Sequence, residues 1–120
     1  MSTTYKKPLP VITEANRPFW EGCKAGELRM QQCTHCGHIR YPTGPVCTVC
    51  LSDEFSWTKL SGKGTVFNYL IFYQKYNDAW AEDLPYNVIM AQLEEGPRMF
   101  SNLVGVPNEE IQIGMPVEVV

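Results

Sequence analysis

Four cysteines in two pairs, Cys33-Thr-His-Cys36 and Cys47-Thr-Val-Cys50, are the residues of this chain best suited to chemistry. Two cysteines separated by two residues can bring both sulfurs to one side of a tight turn. Two such turns facing each other place four thiolates at the corners of a tetrahedron, the geometry zinc accepts with Zn–S distances of about 2.3 Å. The ten residues between the pairs suit a compact arrangement of two knuckles. Gly37 follows the first pair and can take positive φ beneath a metal. Leu51-Ser52 follow the second pair, a less ideal sequence for the same turn. The pattern predicts a structural tetrathiolate site held by Cys33, Cys36, Cys47 and Cys50, with zinc as the default ion and iron as the alternative.

Other cysteine chemistry fits less well. Disulfides need an oxidising compartment, and the N-terminal Met-Ser-Thr-Thr-Tyr-Lys-Lys has no apolar signal-peptide core. A thioredoxin-like pair needs one such motif at a strand-to-helix junction, not two within eighteen residues. A catalytic zinc keeps an open position, which four thiolates close. His35 and His38 are expected to face solvent on a knuckle and a strand, and Cys23 to be a small apolar helix residue.

The elements that must position these cysteines can be read on either side of them. Residues 1–15, with Pro8 and Pro10 and no sustained period, are expected to form an extended arm. Asn16 reads as an N-cap, Pro18 suits the first turn and Gly26 the C′ position, giving a helix from about Arg17 to Ala25. Phe19, Trp20 and Cys23 would share its contact face. Strands are expected from Leu28 to Gln32, at Ile39-Arg40-Tyr41, and from Phe55 to Leu60. The unit of helix and ribbon, residues 16–60, has few apolar residues for a core of its own, so metal binding is expected to supply folding energy.

Residues 61–120 change character to all-β. Strands are expected from Gly64 to Tyr73, with the opening glycines permitting a bulge, from Tyr86 to Leu93, from Arg98 to Val104, and from Met115 to Val120. A polar loop over residues 74–85 carries Tyr76 and Trp80. Short strands with Gly/Pro turns suggest a small OB-like barrel. The sequence stops at Val120 inside an apolar strand, so the barrel either closes with few residues or leaves an edge for another chain.

With 44% hydrophobic and 19% charged residues, the composition is that of a globular domain. No apolar run approaches the ~20 residues of a membrane helix, and a cytoplasmic location is expected. The formal net charge is −3, and it is unevenly spread. Residues 1–58 carry six Lys/Arg against five Asp/Glu, whereas residues 59–120 carry four against eight.

The order of the motifs is specific. Phe19-Trp20-Glu21-Gly22, Gly26-Glu-Leu-Arg-Met-Gln-Gln-Cys33, Cys36-Gly37, Tyr41-Pro42 and the second cysteine pair occur in sequence. Gly62-Lys-Gly-Thr-Val66, Pro85-Tyr86, Glu94-Glu95-Gly96 and Gly114-Met-Pro-Val117 follow. Over roughly residues 16–120 the chain resembles the small proteins that pair a rubredoxin-like zinc ribbon with an OB-fold and accompany acyl-CoA enzymes. The resemblance implies a mainly β fold: a short helix, a rubredoxin-like zinc ribbon, then a small OB-fold-like barrel. It further implies a non-catalytic subunit in a hetero-oligomer with a thiolase-fold or hydratase partner. Such a subunit would help form or gate the site, with the CoA thioester bound mainly by the partner. Family members often continue beyond the Gly-Met-Pro-Val strand, whereas this sequence does not.

Thiolase chemistry needs a cysteine nucleophile and an acid/base residue. After Cys50 there is no cysteine, and after His38 no histidine. Gly62-Lys-Gly-Thr65 lacks the spacing of a phosphate loop and precedes a strand. The alternative is a nucleic-acid-binding zinc-ribbon OB protein. Its aromatics are present, but the phosphate-binding cations are reduced to Lys59, Lys63, Lys75 and Arg98 in an acidic half. Tyr76, Trp80 and Tyr86 are the candidate partner- or substrate-contacting residues, since interface anchors are often Trp and Tyr.

Overall fold

The computed structural model describes residues 7–120; residues 1–6 of the expected arm lie outside the described residues. The first helix, α1, spans Arg17–Lys24 with Asn16 at its N-cap position, but the Asn16 side chain makes no capping bond into it. Thr13 Oγ1 accepts the Asn16 N–H at 3.2 Å, and Asn16 Oδ1 accepts the Thr13 N–H at 2.7 Å. This is a reciprocal capping box with Asn in the place usually held by Glu or Gln. The first turn therefore begins at Thr13, whose carbonyl accepts the Arg17 N–H at 2.9 Å. The far end matches expectation. Gly26 takes φ 79°, with the Glu27 N–H on the Gly22 carbonyl and the Gly26 N–H on that of Cys23. Those two bonds make a Schellman motif. Phe19 packs on the core and meets the Trp20 ring edge-on at 5.1 Å. Cys23 does not share that contact; it is exposed.

Two antiparallel sheets follow. The first contains β1 (Arg29–Cys33), β2 (Ile39–Arg40) and β3 (Phe55–Lys59) in the order β2-β1-β3. The second contains β4 (Lys63–Phe72), β5 (Tyr86–Leu93), β6 (Arg98–Ser101) and β7 (Pro116–Glu118) in the order β6-β5-β4-β7. Among the described residues β6 and β7 each pair on one side only. The expected barrel is therefore a curled half-barrel of OB type, open between those two edges.

The alternation in β5 sets the sheet's two faces. Asn87, Ile89, Ala91 and Leu93 are buried, whereas Tyr86, Val88, Met90 and Gln92 face the other way. In β4 the register slips between Val66 and Asn68, leaving Phe67 as the bulged residue. The bulge lies beyond the glycines that were expected to permit it. It sets both Phe67 and Asn68 outward, which spares the core a polar side chain and returns Tyr69 and Ile71 to it. The third strand ends at Ser101, short of Val104, because Asn87 captures the chain beyond it. Asn87 Nδ2 donates to the Leu103 carbonyl at 2.9 Å, and Asn87 Oδ1 accepts the Leu103 N–H at 2.7 Å. The 74–85 loop holds a 3₁₀ turn at Asp78–Asp83.

One core serves both sheets. Leu28, Met30 and Leu60 from the ribbon side pack with Val66, Ile89, Ala91, Leu93 and Ile111. The metal end of the ribbon is cantilevered from this shared core.

Candidate metal centre

The two knuckles repeat one local structure. The Gly37 N–H donates to the Cys33 carbonyl and the Leu51 N–H to that of Cys47, each at 2.9 Å. The Cys33 N–H donates to the His38 carbonyl and the Cys47 N–H to that of Ser52, each at 2.8 Å. These bonds satisfy backbone polar groups that a tight turn leaves without ladder partners. Gly37 closes its turn at φ 82° and Leu51 at φ 66°.

The knuckles bring the four cysteine sulfurs within 4.8 Å of one another. Cys33 Sγ and Cys50 Sγ are 3.6 Å apart, and Cys36 Sγ and Cys47 Sγ 3.5 Å apart. A regular tetrahedron of Zn–S bonds has edges of about 3.8 Å, so the sulfurs lie close to positions a single ion would hold. Backbone N–H groups already point at two of them: Cys36 N is 3.4 Å from Cys33 Sγ, and Val49 N 3.4 Å from Cys47 Sγ.

The electrostatics fit the same assignment. The Cys36 N–H, against the opposing effect of desolvation, takes the Cys33 thiol down to about 6. Cys47 is likewise lowered, chiefly by the Cys50 N–H. The His38 N–H pulls Cys36 down, but desolvation and the adjoining thiols outweigh it and push Cys36 up to about 12. Four contacting sulfurs cannot all ionise alone, and a divalent ion removes that obstacle.

Arg40 is a residue that sequence reasoning missed. It is 5% exposed, and among the described residues its Nε and Nη1 have no hydrogen-bond partner. Its Nη2 donates to the Gly44 carbonyl at 2.9 Å, while the Gly44 N–H donates to Gln31 Oε1 at 2.9 Å. Gln31 and Arg40, paired across β1 and β2, thus clamp the connection between the knuckles. The guanidinium also lies 5.0 Å from the centre of the Phe55 ring. A buried cation is costly without opposing charge, and a tetrathiolate–metal centre would put about two negative charges into the same ribbon. The only signal in the sequence was the Pro42-Thr-Gly-Pro45 turn, whose backbone groups needed partners from somewhere.

The histidines stand outside this donor set. His35 is exposed, and His38 is half-buried with Nε2 3.5 Å from Thr48 Oγ1. Of the aromatic candidates, Tyr86 begins β5, whereas Tyr76 and Trp80 lie in the loop between β4 and β5. Phe72 stacks on Tyr86 at 5.1 Å and meets the Tyr76 ring edge-on at 6.2 Å. Trp80 is half-buried and lines a 320 Å³ cavity with Tyr86, Asn87 and Asn102. Among the described residues no helix is long and apolar enough to cross a membrane.

With this geometry in hand, comparison with known proteins is informative. The family model for the ChsH2 rubredoxin-like zinc ribbon domain matches residues 20–56, and that for the ChsH2 C-terminal OB-fold domain matches residues 57–120. A "Probable enoyl-CoA hydratase alpha subunit" of Thermomonospora curvata is 35% identical over 111 residues, 92% of this chain and 34% of that protein. A "DUF35 domain-containing scaffold protein" of Methanocaldococcus jannaschii is 36% identical over 90 residues, 74% of this chain and 63% of that one. The chain thus spans about a third of the first relative's length and under two thirds of the second's. Among solved structures, one chain of an "Ltp2-ChsH2(DUF35) aldolase" superposes with a TM-score of 0.81 at 34% identity. That likeness covers 92% of this chain and 85% of the other.

Proposed function

The chain belongs to the ChsH2 family, in which a rubredoxin-like zinc ribbon is joined to an OB-fold, and from that premise we propose that it is a non-catalytic accessory subunit of a thiolase-like complex acting on CoA thioesters. Zinc, held by Cys33, Cys36, Cys47 and Cys50, is structural: it cross-links two knuckles and closes its own coordination shell. Catalysis belongs to a thiolase, acyltransferase, aldolase or hydratase partner, and the complex is cytoplasmic. The relatives' printed names, an enoyl-CoA hydratase subunit and an aldolase complex, support a partner of acyl-CoA chemistry.

The observation that carries this reading is the division of reactive side chains. The sheet that would meet a ligand has neither cysteine nor histidine, because all of both lie at or before Cys50. Four of the five cysteines are in the knuckles. The chain can shape a neighbouring site and supplies no nucleophile–base pair to one. Its acidic second half also opposes nucleic-acid binding, which is driven by phosphate neutralisation.

Tyr76, Trp80 and Tyr86 are proposed to contact the partner or lid its acyl pocket. The test begins with tagged native purification from the source cell and mass spectrometry of what elutes in stoichiometric amount. A thiolase-like or hydratase enzyme is expected, and Trp80→Ala and Tyr86→Ala then weaken assembly or raise its KM. Recovery with nucleic acid, or a chain that associates with no acyl-CoA enzyme, would sink the reading.

A further inference from the structure

The Arg40 side chain reaches across the ribbon. The first sheet is ordered β2-β1-β3, with Arg40 of β2 opposite Gln31 of β1 and Phe55 of β3 opposite Cys33 of β1. Gln31 and Cys33 are two residues apart on one strand and so share a face, and their partners across the sheet share it with them. The Arg40 guanidinium carbon lies 5.0 Å from the centre of the Phe55 ring. Neighbouring strands are about 4.8 Å apart, so β2 and β3 are separated by about 10 Å with β1 between them. To meet Phe55, the guanidinium must lie above β1, on the side where β1 carries Cys33. That cysteine is one of the four whose sulfurs cluster within 4.8 Å of one another.

One end of the guanidinium is tied down. Its Nη2 donates to the Gly44 carbonyl at 2.9 Å, and Gln31 Oε1 accepts the Gly44 N–H at 2.9 Å. The turn held in this way covers the two side chains, leaving Arg40 5% and Gln31 2% exposed. The Nε and Nη1 groups are buried without a hydrogen-bond partner, and among the described residues no carboxylate forms an ion pair with Arg40. Asp53 and Glu54, next to Phe55 in the sequence, are exposed.

Arginine stays charged at any working pH, and a buried charge without an opposing one costs more than a single hydrogen bond returns. A neutral side chain could hold the Gly44 carbonyl at less cost. What a neutral side chain cannot do is offset negative charge. Four thiolates around a divalent ion leave about two negative charges, and they do so at the cluster that includes Cys33.

We infer that Arg40 is the built-in counter-cation of the metal centre, a positioning residue that lies beside Cys33 and sets how tightly the ion is held. The inference rests on the four-cysteine metal assignment and is independent of the accessory-subunit reading.

The test uses the full chain loaded with zinc or with iron. Zinc affinity is read by competition with a chromophoric chelator. Arg40→Met fills the space with an uncharged chain and is expected to weaken zinc binding roughly 10–100-fold, the usual effect of losing an outer-shell partner. Arg40→Lys keeps the charge and should stay close to the unmutated protein. Gln31→Ala loosens the Gly44 clamp with no change of charge, and should weaken zinc binding less than Arg40→Met does.

The reduction potential of the iron-loaded protein separates charge from mechanical support. A ferrous tetrathiolate carries one more negative charge than a ferric one, so a neighbouring cation favours the ferrous state. Arg40→Met should therefore lower the potential, and Arg40→Lys should restore it. A site that is merely loosened admits water, which also favours the more highly charged ferrous state and raises the potential. A raised or unchanged potential overturns the inference. So does a zinc affinity that Arg40→Met leaves intact or that Arg40→Lys fails to preserve. Should Arg40→Met not fold, a crystal structure of the unmutated zinc-loaded protein decides. It should place the guanidinium within about 6 Å of a cysteine sulfur, with no carboxylate nearer, and any other arrangement overturns the inference. An unmutated chain that binds neither metal removes the metal assignment and the role of Arg40 together.

Discussion

Leu51 occupies in the second knuckle the left-handed position that Gly37 occupies in the first, with φ of 66° and 82°. A Cβ is crowded in that conformation, at a cost of roughly 1–2 kcal/mol for an L-residue, whereas glycine is free of it. The leucine gains little in return from packing, because it is 73% exposed. Leu51→Gly is therefore expected to stabilise the zinc-loaded protein by about 0.5–1 kcal/mol after allowing for glycine's greater chain entropy. Thermal unfolding at fixed zinc would show a rise of a few degrees. A lowered midpoint would mean that the Leu51 side chain holds the knuckle by contacts that its exposure hides.

The opposite sign is expected in β4. Gly64 pairs with Leu93, and a Cβ built on it would overlap the carbonyl oxygen of Gln92, with the Gln92 carbonyl carbon only 3.0 Å away. Backbone atoms cannot step aside as the end of a side chain can. Gly64→Ala should cost about 2–3 kcal/mol by forcing β4 and β5 apart. Because β4 also carries β7, the amides of Val66 and Val119 should lose exchange protection together. A variant with wild-type stability would show that the two strands can separate at no cost.

Much of the scaffold was legible in the sequence, and the misses share a cause. The cysteine spacing located the cluster of four sulfurs because two short turns leave little freedom in where the sulfurs go. The turn residues Glu94-Glu95-Gly96-Pro97 marked off β5, because a β-forming run that ends at a hairpin turn has little room to be anything else. What escaped was decided by partners distant in sequence or by a local exception. Asn16 read as a cap by its own side chain, and only the reciprocal bonds with Thr13 show that side chain closing a four-residue box from its far end instead. The bulge at Phe67 is a register shift against β5, invisible in β4 alone. Arg98 to Val104 read as one strand until Asn87, from β5, drew Leu103 away. Arg40 was read only as a strand residue, because its burial is set by Gln31 on β1 and by the turn at Gly44.

The cap offers a clean test of that correction. Thr13 Oγ1 and Asn16 Oδ1 each satisfy the other residue's backbone N–H. Thr13→Ala removes one bond of the box and should cost about 1 kcal/mol, as N-cap substitutions do. Asn16→Ala removes the other bond, and also the Asn16 Nδ2 bond to the Val11 carbonyl. The double variant should then fall short of the sum of the two singles, since the two bonds hold one turn. Strict additivity would argue that the two residues act separately and that Asn16 caps alone.

Metal removal should divide the molecule at a definable place. Leu28, Met30 and Leu60 belong to the same core as Val66, Ile89 and Leu93, so the inner end of the ribbon is held without the ion. The outer end is held by four sulfurs and the paired turns around them. Chelation or Cys36→Ala should accordingly unlock the amides of Gly37, Cys47 and Leu51 in hydrogen exchange, while those paired between β4 and β5 keep most of their protection. Structural zinc in small peptides contributes on the order of 10 kcal/mol, and the shared core makes part of that contribution unnecessary for the sheet to survive here. Zinc affinity should fall as pH is lowered, because binding requires the thiols to lose protons and acid returns them. Collapse of the β4–β5 protection together with the knuckles would show that core and metal form a single cooperative unit, and that the ribbon's apolar residues cannot hold it alone.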